Sequence, residues 1–187
     1  MARLMLRSIL SGRQIHSSII ILMMGIAVFC ASPAVAQEQD PLTIYLFRHA
    51  EKEAVGQDPN LTSAGLERAQ TLRQVVSEAS VTHLFSTNTR RTVQTIHPFS
   101  DHYEKEIEFY NPRELEAFAD TLQRLTGVVI VVGHSNTTPR LVSLITGQDI
   151  PDLDEKEYDQ LFIIQRVGNR VDGTTTLTRL SIPPFTP

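Results

Sequence analysis

The chain has 187 residues, with 17 basic and 21 acidic side chains and a single cysteine, Cys30. This length is sufficient to bury the core of one domain without disulfide bonds. The acidic balance argues against the strongly basic surface by which proteins bind nucleic acid or anionic membranes. Any basic cluster in the chain is therefore expected to serve a small anionic ligand.

The first 36 residues have the three-part pattern of a secretory signal peptide. A basic start is followed by the almost entirely apolar residues 19–31, and Ala34-Val35-Ala36 places small residues where a signal peptidase cleaves. The apolar stretch is shorter than the roughly 20 residues that span a bilayer. We expect cleavage near Ala36 and a periplasmic or secreted product with no stable membrane insertion. The alternative is an uncleaved N-terminal membrane anchor.

Cleavage would leave residues 37–187, which we expect to form one domain. The removed segment holds three basic residues, no acidic residue and Cys30, which leaves 14 basic and 21 acidic residues and a net charge of −7. Such a chain has no disulfide to form even in a compartment that allows one. We expect it to bind neither nucleic acid nor membrane, and the sequence leaves its oligomeric state open.

Segments with the periodicity of strands and of helices alternate along residues 37–187. The predicted strands cover 42–47, 81–85, 107–110, 128–132, 161–166 and 174–182, and the predicted helices cover 62–79, 89–99, 112–125 and 138–145. Pro98 is expected to end the second helix. Asn111-Pro112, with Glu114, has the spacing of an N-cap, a first-turn proline and a capping box for the third. A turn at 168–169 or 172–173 joins the last two strands.

This alternation indicates an α/β fold with a mostly parallel central sheet. The predicted strands at 42–47 and 128–132 are apolar on both faces, so helices are expected to cover both sides of the sheet. The last two strands are close in sequence and are expected to form an antiparallel edge. The predicted architecture is a three-layer α/β/α sandwich.

Two histidines directly follow buried strands. His49 comes after the first strand and His134 after the fourth, and the ligands of open α/β sheets bind at the carboxyl ends of strands. Arg48 precedes the first histidine, and Arg90 and Arg91 lie at the start of the second helix. We expect the histidines and arginines from these segments to surround one crevice.

This set of side chains is typical of a phosphate site. A guanidinium forms paired, charge-assisted hydrogen bonds with phosphate oxygens, and a neutral imidazole can attack phosphorus. Surrounding cations would stabilise the equatorial phosphoryl oxygens, so this chemistry needs no metal and no other cofactor. The expected ligand is a small phosphorylated substrate.

Four segments, in order, resemble the motifs of the histidine phosphatase superfamily, also called phosphoglycerate mutase-like. They are Arg-His-Ala-Glu at 48–51 and the segments 61–69, 86–95 and 133–137. The resemblance covers nearly all of residues 37–187. It implies the phosphoglycerate mutase-like fold and a metal-independent phosphatase acting on a phosphomonoester or related phosphoryl group. Ala50 stands where the first motif of the superfamily has glycine.

The resemblance also implies a role for each matching residue. His49 would be the nucleophile that is briefly phosphorylated, and Arg48 would bind the phosphoryl oxygens. Alignment on Gln94-Thr95 makes Arg91 the second phosphate-binding arginine. His134 would donate a hydrogen bond to the transferring phosphoryl group.

The proton donor to the leaving group stays open at this point. Many members of the superfamily place a glutamate after the third strand, and here the candidates are Glu116, Glu114 and Glu51. Short bacterial phosphohistidine phosphatases resemble the chain and manage without an obvious acid. The absence of a matching motif for this acid motivates an alternative hypothesis, a non-catalytic phosphate-binding or interaction protein that keeps the pocket.

Two acidic features admit a second interpretation. Glu51 and Glu53 with His134 could bind a metal, but their spacing has no established metal pattern and flanking arginines would repel a cation. The acidic segment 152–159 is expected to be a solvated face, and it could equally form one wall of the substrate entrance.

The mass of the intact protein, isolated from the export compartment, tests the predicted cleavage. We expect a chain that begins at about Gln37, because the small residues before it suit a signal peptidase. A mass that still includes residues 1–36 would show the uncleaved anchor instead.

Overall fold

Residues 41–76, 80–168 and 173–183 are described by the computed structural model, and all lie in the unit Gln37–Pro187. The predicted signal segment, the predicted end of the first helix at Ala79 and most of the turn between the last two strands lie outside these residues. Within them, six strands and four helices follow one another as β1 Leu42–Arg48, α1 Ser63–Val75, β2 Val81–Ser86, α2 Arg90–Tyr103, β3 Ile107–Phe109, α3 Leu115–Leu122, β4 Gly127–Gly133, α4 Thr137–Thr146, β5 Gln160–Val167 and β6 Thr174–Ser181.

The strands form one sheet in the order β3-β2-β4-β1-β5-β6. β1 and β2 both pair in parallel with the central strand β4, and β3 pairs in parallel with β2. β5 runs antiparallel to β1, and β6 runs antiparallel to β5. The predicted parallel sheet with an antiparallel edge is confirmed.

Helices cover both faces of this sheet, as the side chains that alternate between the two faces of β4 show. Val129 and Val131 belong to the core cluster that includes residues of α3 and α4. Ile130 and Val132 point the other way, into the cluster that includes residues of α1 and α2. Because both faces are buried, β4 is apolar throughout, as parallel strands between helix layers usually are. This is the predicted three-layer sandwich. Among the described residues, no helix is long and apolar enough to cross a membrane.

The pairing of β1 with β4 determines where the polar residues beyond these strands meet. Arg48 lies opposite Gly133 in the parallel ladder, and the His49 N–H donates to the Gly133 carbonyl at 3.0 Å. Both strands therefore end at the same level. The residues that follow them, His49 and His134, emerge side by side at the carboxyl edge of the sheet.

The expected end of α2 at Pro98 is wrong, because the helix continues to Tyr103. Proline has no N–H and removes one helical hydrogen bond, which normally ends a helix or kinks it. Here the residues after Pro98 are held by packing. Phe99 is fully buried, and the Tyr103 hydroxyl donates to the Val76 carbonyl at 2.7 Å. Tertiary contacts of the last turn thus outweigh the lost bond.

The expected start of α3 at Pro112 is also wrong, since the helix begins at Leu115. The Asn111 side-chain oxygen accepts from the Arg113 N–H at 3.0 Å, and the Glu114 N–H donates to the Asn111 carbonyl at 3.1 Å. Asn111 therefore closes a turn with its side chain instead of capping a helix. Glu114 becomes the N-cap residue, without a side-chain capping bond.

The start of α1 packs directly against the segment that follows β1. Thr62 caps the helix, since its Oγ1 accepts from the Gly65 N–H at 3.1 Å, and its own N–H donates to the Glu51 carbonyl at 2.9 Å. A Cβ atom at Gly65 would overlap that same carbonyl oxygen. Glycine at this position therefore lets α1 lie against the chain two residues beyond His49.

We expect Gly65→Ala to destabilise the protein by about 1–3 kcal/mol, because the added methyl group must displace backbone. In an unhindered helix the same change would be stabilising by about 1 kcal/mol, so the sign of the effect is diagnostic. Urea denaturation measures it. Gln70→Ala, at an exposed position of α1, is the control and should change stability by less than about 0.5 kcal/mol. Equal or higher stability of Gly65→Ala would contradict the close contact.

Candidate active site

A cavity of about 410 Å³ opens at the carboxyl edge of the sheet, where β1 and β4 end. It contains the two histidines that follow these strands and charged side chains of both signs. The lining residues are Arg48, His49, Lys52, Arg91, His134, Ser135, Asn136, Asp152, Leu153 and Glu155. The structure thus brings together the four residues predicted from the motifs, namely Arg48, His49, Arg91 and His134.

The His49 imidazole is held in one orientation. The residue is 2% exposed, and its Nδ1 lies 2.8 Å from the Ala50 carbonyl oxygen. A carbonyl can only accept, so Nδ1 carries the proton and Nε2 carries the lone pair. Burial lowers the pKa of His49 from 6.5 to about 3, and the neighbouring charges of Arg48 and Arg91 act in the same direction. The ring is therefore neutral at pH 7 and has a free nitrogen for attack.

Threonine hydroxyls hold His134 in place. Its Nε2 lies 2.9 Å from Thr87 Oγ1, which donates to Thr92 Oγ1 at 3.0 Å. Because a hydroxyl has one proton, Thr87 accepts from the His134 Nε2–H. Nδ1 is then the acceptor for Arg91 NH2 at 3.3 Å. The ring centroids of His134 and His49 are 5.5 Å apart.

His134 is neutral for the same physical reason as His49. Burial lowers its pKa from 6.5 to about 4, and the charges of Arg91 and Arg48 contribute further. A cation in the ring would be destabilised by these two guanidinium groups. The arrangement is thus ready to receive negative charge, which would remove that repulsion.

Arg48 is buried beneath the segment that follows α4. Its NH1 donates to the carbonyls of Asp154 and Glu157 at 2.9 and 3.2 Å, and its NH2 donates to the Glu155 carboxylate at 2.8 Å. Its guanidinium carbon lies 4.3 Å from the centre of the Tyr158 ring. We call residues 152–158 the covering segment. It holds the guanidinium in a fixed plane beside His49.

Both arginines of the cavity keep an unsatisfied donor. The Nε atoms of Arg48 and Arg91 are buried and have no hydrogen-bond partner in the described part of the chain. Arg91 has its NH1 3.7 Å from Asp58 Oδ1, which is a long ion pair. A buried donor without an acceptor costs about 1–3 kcal/mol. An oxyanion with several acceptor oxygens is the kind of ligand that removes this cost.

The second helix anchors the segment after His49 through two side chains. Thr95 Oγ1 accepts from the Ala50 N–H at 3.0 Å and donates to the Arg91 carbonyl at 2.7 Å. The preceding residue acts in the same way, since Gln94 Oε1 accepts from the Leu61 N–H at 2.8 Å. These bonds show the structural role of Gln94 and Thr95. They tie the turn of α2 that carries Arg91 to the segment that follows His49.

None of the three predicted proton donors lines the cavity. Arg68 holds the Glu51 carboxylate through its Nε at 2.9 and 2.8 Å and through its NH2 at 2.6 Å. Glu116 is exposed on α3 and pairs with Arg140 at 3.1 Å. Glu114 borders a separate cavity with Phe85 and Phe109. The structure therefore does not bring these carboxylates to the two histidines.

The carboxylates that do line the cavity belong to Asp152 and Glu155 of the covering segment. Glu155 Oε1 accepts from the Ser135 hydroxyl at 2.6 Å while Oε2 accepts from Arg48. The hydrogen bond from Ser135 is the main cause that lowers the pKa of Glu155, and Arg48 and Lys52 contribute. Both expectations for the acidic segment fit the structure, because residues 152 and 154–156 are exposed while Asp152 and Glu155 also form a wall of the cavity. In the sequence, only its negative charge indicated that this segment could belong to the site.

The glutamates considered as metal ligands do not gather around His134. Within residues 41–76, 80–168 and 173–183, no group of three or more His, Cys, Asp or Glu side chains is placed to hold a metal ion. The ionic partner that the structure gives Glu51 is Arg68.

Comparison with known proteins is consistent with this geometry. Residues 44–116 match the model of the histidine phosphatase superfamily (branch 1). No curated protein sequence matches the chain.

Several solved structures share the fold at low sequence identity. The protein histidine phosphatase SixA complexed with tungstate is 15% identical, with 74% of this chain and 96% of that chain covered and a TM-score of 0.61. A putative phosphohistidine phosphatase SixA from Nakamurella multipartitia is 19% identical, with 80% and 99% covered and a TM-score of 0.56. Phosphoglycerate mutase from Plasmodium falciparum is 14% identical, with 80% and 98% covered and a TM-score of 0.53.

The match of residues 44–116 contains the first histidine motif and the second-helix motif, and the sheet places the second histidine beside them. The fold is phosphoglycerate mutase-like. Over residues 44–116 the chain is thus similar to the histidine phosphatase superfamily (branch 1).

Proposed function

We propose that the chain is a phosphatase that hydrolyses a phosphomonoester or related phosphoryl group through a phosphohistidine at His49. The observation that carries the proposal is the state of this residue. Its Nδ1–H is bound to the Ala50 carbonyl, its pKa is lowered to about 3, and it lines a cavity with two arginines. An uncharged imidazole with a free Nε2 is a nucleophile at neutral pH.

The reaction would proceed in two displacements at phosphorus. The lone pair of His49 Nε2 attacks phosphorus, the bond from phosphorus to the ester oxygen breaks, and that oxygen leaves with the electron pair and takes a proton from solvent. Water then attacks the phosphohistidine, the bond from phosphorus to nitrogen breaks, and inorganic phosphate is released with a proton lost to solvent. The hydrogen bond to Ala50 keeps the ring aligned in both steps, since Nδ1 stays protonated.

Arg48 and Arg91 would bind the transferring phosphoryl group. His134, whose N–H is given to Thr87, would hold Arg91 in place, whereas the resemblance implied that it donates to the phosphoryl group. Charge on the equatorial oxygens is stabilised by positioned cations and donors, the main contribution to phosphoryl-transfer catalysis. The two unpartnered Nε–H donors support this role. So does the SixA structure with tungstate, because tungstate is a tetrahedral oxyanion like phosphate. We propose that these groups act without a metal ion.

The second candidate is a protein that binds phosphate without catalysis. It is favoured by the placement of Glu51, Glu114 and Glu116, none of which lines the cavity. An aryl phosphate distinguishes the two functions, because its leaving group needs no proton donor.

We also propose that the protein acts outside the cytoplasm, after removal of residues 1–36. The proposal is supported by the basic, apolar and small-residue pattern of this segment.

Turnover of p-nitrophenyl phosphate is expected for the protein and should be inhibited by tungstate. His49→Ala should lower kcat/KM by about a thousandfold or more, because the nucleophile itself is removed. His97→Ala is the matched control, since His97 lies on the exposed face of α2 in a surface pair with Asp101. Its activity should stay within about twofold of the unchanged protein.

Two results would contradict the proposal. Turnover that survives His49→Ala would exclude His49 as the nucleophile. Phosphate binding by calorimetry without turnover of any aryl phosphate would favour the binding protein.

The protonation state of His49 is testable by ¹⁵N NMR across pH 4 to 8. We expect its ring to remain neutral with the proton on Nδ1 at pH 5, because its pKa lies at about 3. An imidazole with the ordinary value of about 6.5 would be almost fully protonated at that pH. A His49 signal that titrates with a midpoint near 6.5 would show that burial and the arginines do not control its charge.

A further inference from the structure

The cavity has two electrically distinct sides. Arg48 and Arg91 flank the two histidines, whereas Asp152 and Glu155 lie on the wall formed by the covering segment. No hydrogen bond or ion pair holds the Asp152 carboxylate among the described residues. This arrangement differs from a cavity lined only by cations, which would serve any phosphate ester.

The Glu155 carboxylate is fixed at this wall by two bonds. One oxygen accepts from Ser135 and the other from Arg48. A phosphoryl group that takes the NH2 of Arg48 must replace the second bond but leaves the bond to Ser135 intact. The carboxylate then remains at the wall, beside the bound phosphate, without its arginine partner.

The charge of the loaded cavity follows from its lining. The ionised side chains are three cations, Arg48, Lys52 and Arg91, and two carboxylates, Asp152 and Glu155. Both histidines are neutral. With these five side chains, a phosphate dianion would bring the sum of the charges to −1, and a cation beside the two carboxylates would neutralise it.

We propose that the preferred substrates are phosphomonoesters whose leaving group carries a positive charge close to the ester oxygen, such as a primary or quaternary amine. The phosphoryl group would bind to the arginines and His49, and the ammonium group would lie against Asp152 and Glu155. This inference rests on the proposed phosphatase function and names its substrate class. Asp152 and Glu155 act on specificity through charge, without a part in bond breaking.

The test compares two esters that differ in one charge. O-phosphoethanolamine carries an ammonium group, and ethyl phosphate is its neutral counterpart. We expect kcat/KM for O-phosphoethanolamine to exceed that for ethyl phosphate by about threefold to thirtyfold at low ionic strength, since two partly screened carboxylates contribute. The ratio should fall as salt is added.

Variants separate charge recognition from other roles. Asp152→Asn and Glu155→Gln should each lower this ratio by about threefold or more. Asp149→Asn, on the same exposed stretch but outside the cavity lining, should leave it unchanged. If one of these carboxylates served as general acid, its replacement would instead lower the rates of both esters equally and leave their ratio unchanged.

The outcomes separate a failure of the proposed substrate class from a failure of the proposed phosphatase function on which it rests. Turnover of p-nitrophenyl phosphate with an ester ratio near one, unaffected by Asp152→Asn, would overturn the substrate class while the phosphatase stands. If no aryl phosphate is turned over, calorimetry on His49→Asn compares the affinities of the two esters. A preference for O-phosphoethanolamine that Asp152→Asn removes would then support charge recognition, and equal affinities would overturn it.

Discussion

The site depends on one element of the sheet, the parallel pairing of β1 with β4. The His49 N–H donates to the Gly133 carbonyl at 3.0 Å, at the point where the ladder ends. This bond places His49 beside His134, although 84 residues separate them in the chain. A slip of one residue would turn the side chains at the strand ends to opposite faces, so the register determines that the two histidines meet. The two apolar layers on either side of β4 hold that register.

Burial beside cations gives the two histidines their chemical state. An exposed imidazole is partly protonated near neutral pH, but here desolvation and two guanidinium groups keep both rings neutral. Hydrogen bonds then choose the tautomer of each ring, with the Ala50 carbonyl on one side and the Thr87 hydroxyl on the other. The same arginines that suppress protonation would attract a phosphate. Nucleophilicity and anion recognition thus share one physical cause.

The covering segment adds a second function to this arrangement. Backbone carbonyls and the Tyr158 ring hold Arg48, while Glu155 occupies its remaining donor. An arginine fixed by its own protein is ready to bind phosphate without losing side-chain entropy. The cost is a carboxylate that a substrate must displace. On our proposal that displaced carboxylate, with Asp152, becomes the part of the cavity that recognises the leaving group.

The periodicity of the sequence and its turn residues were enough to predict the six strands, the helix layers and the positions of Arg48, His49 and His134, because these depend on local pattern and on strand order. Arg91 was singled out from Arg90 only by the resemblance to the superfamily. Helix boundaries failed where long-range contacts prevailed. α2 passes through Pro98 because Phe99 is buried beyond it.

The tertiary structure determines which carboxylates face the cavity. Glu51 follows directly on the motif of the nucleophile, yet α1 brings Arg68 against it and removes it from the cavity. Glu155, remote from both histidines in sequence, reaches Arg48 instead. Ionic partners are chosen by distance through space, and the crossing of helices and loops over the sheet sets those distances. The sequence motifs therefore placed Arg48, His49, Arg91 and His134 in one cavity, and only the packed fold determined which acids face them.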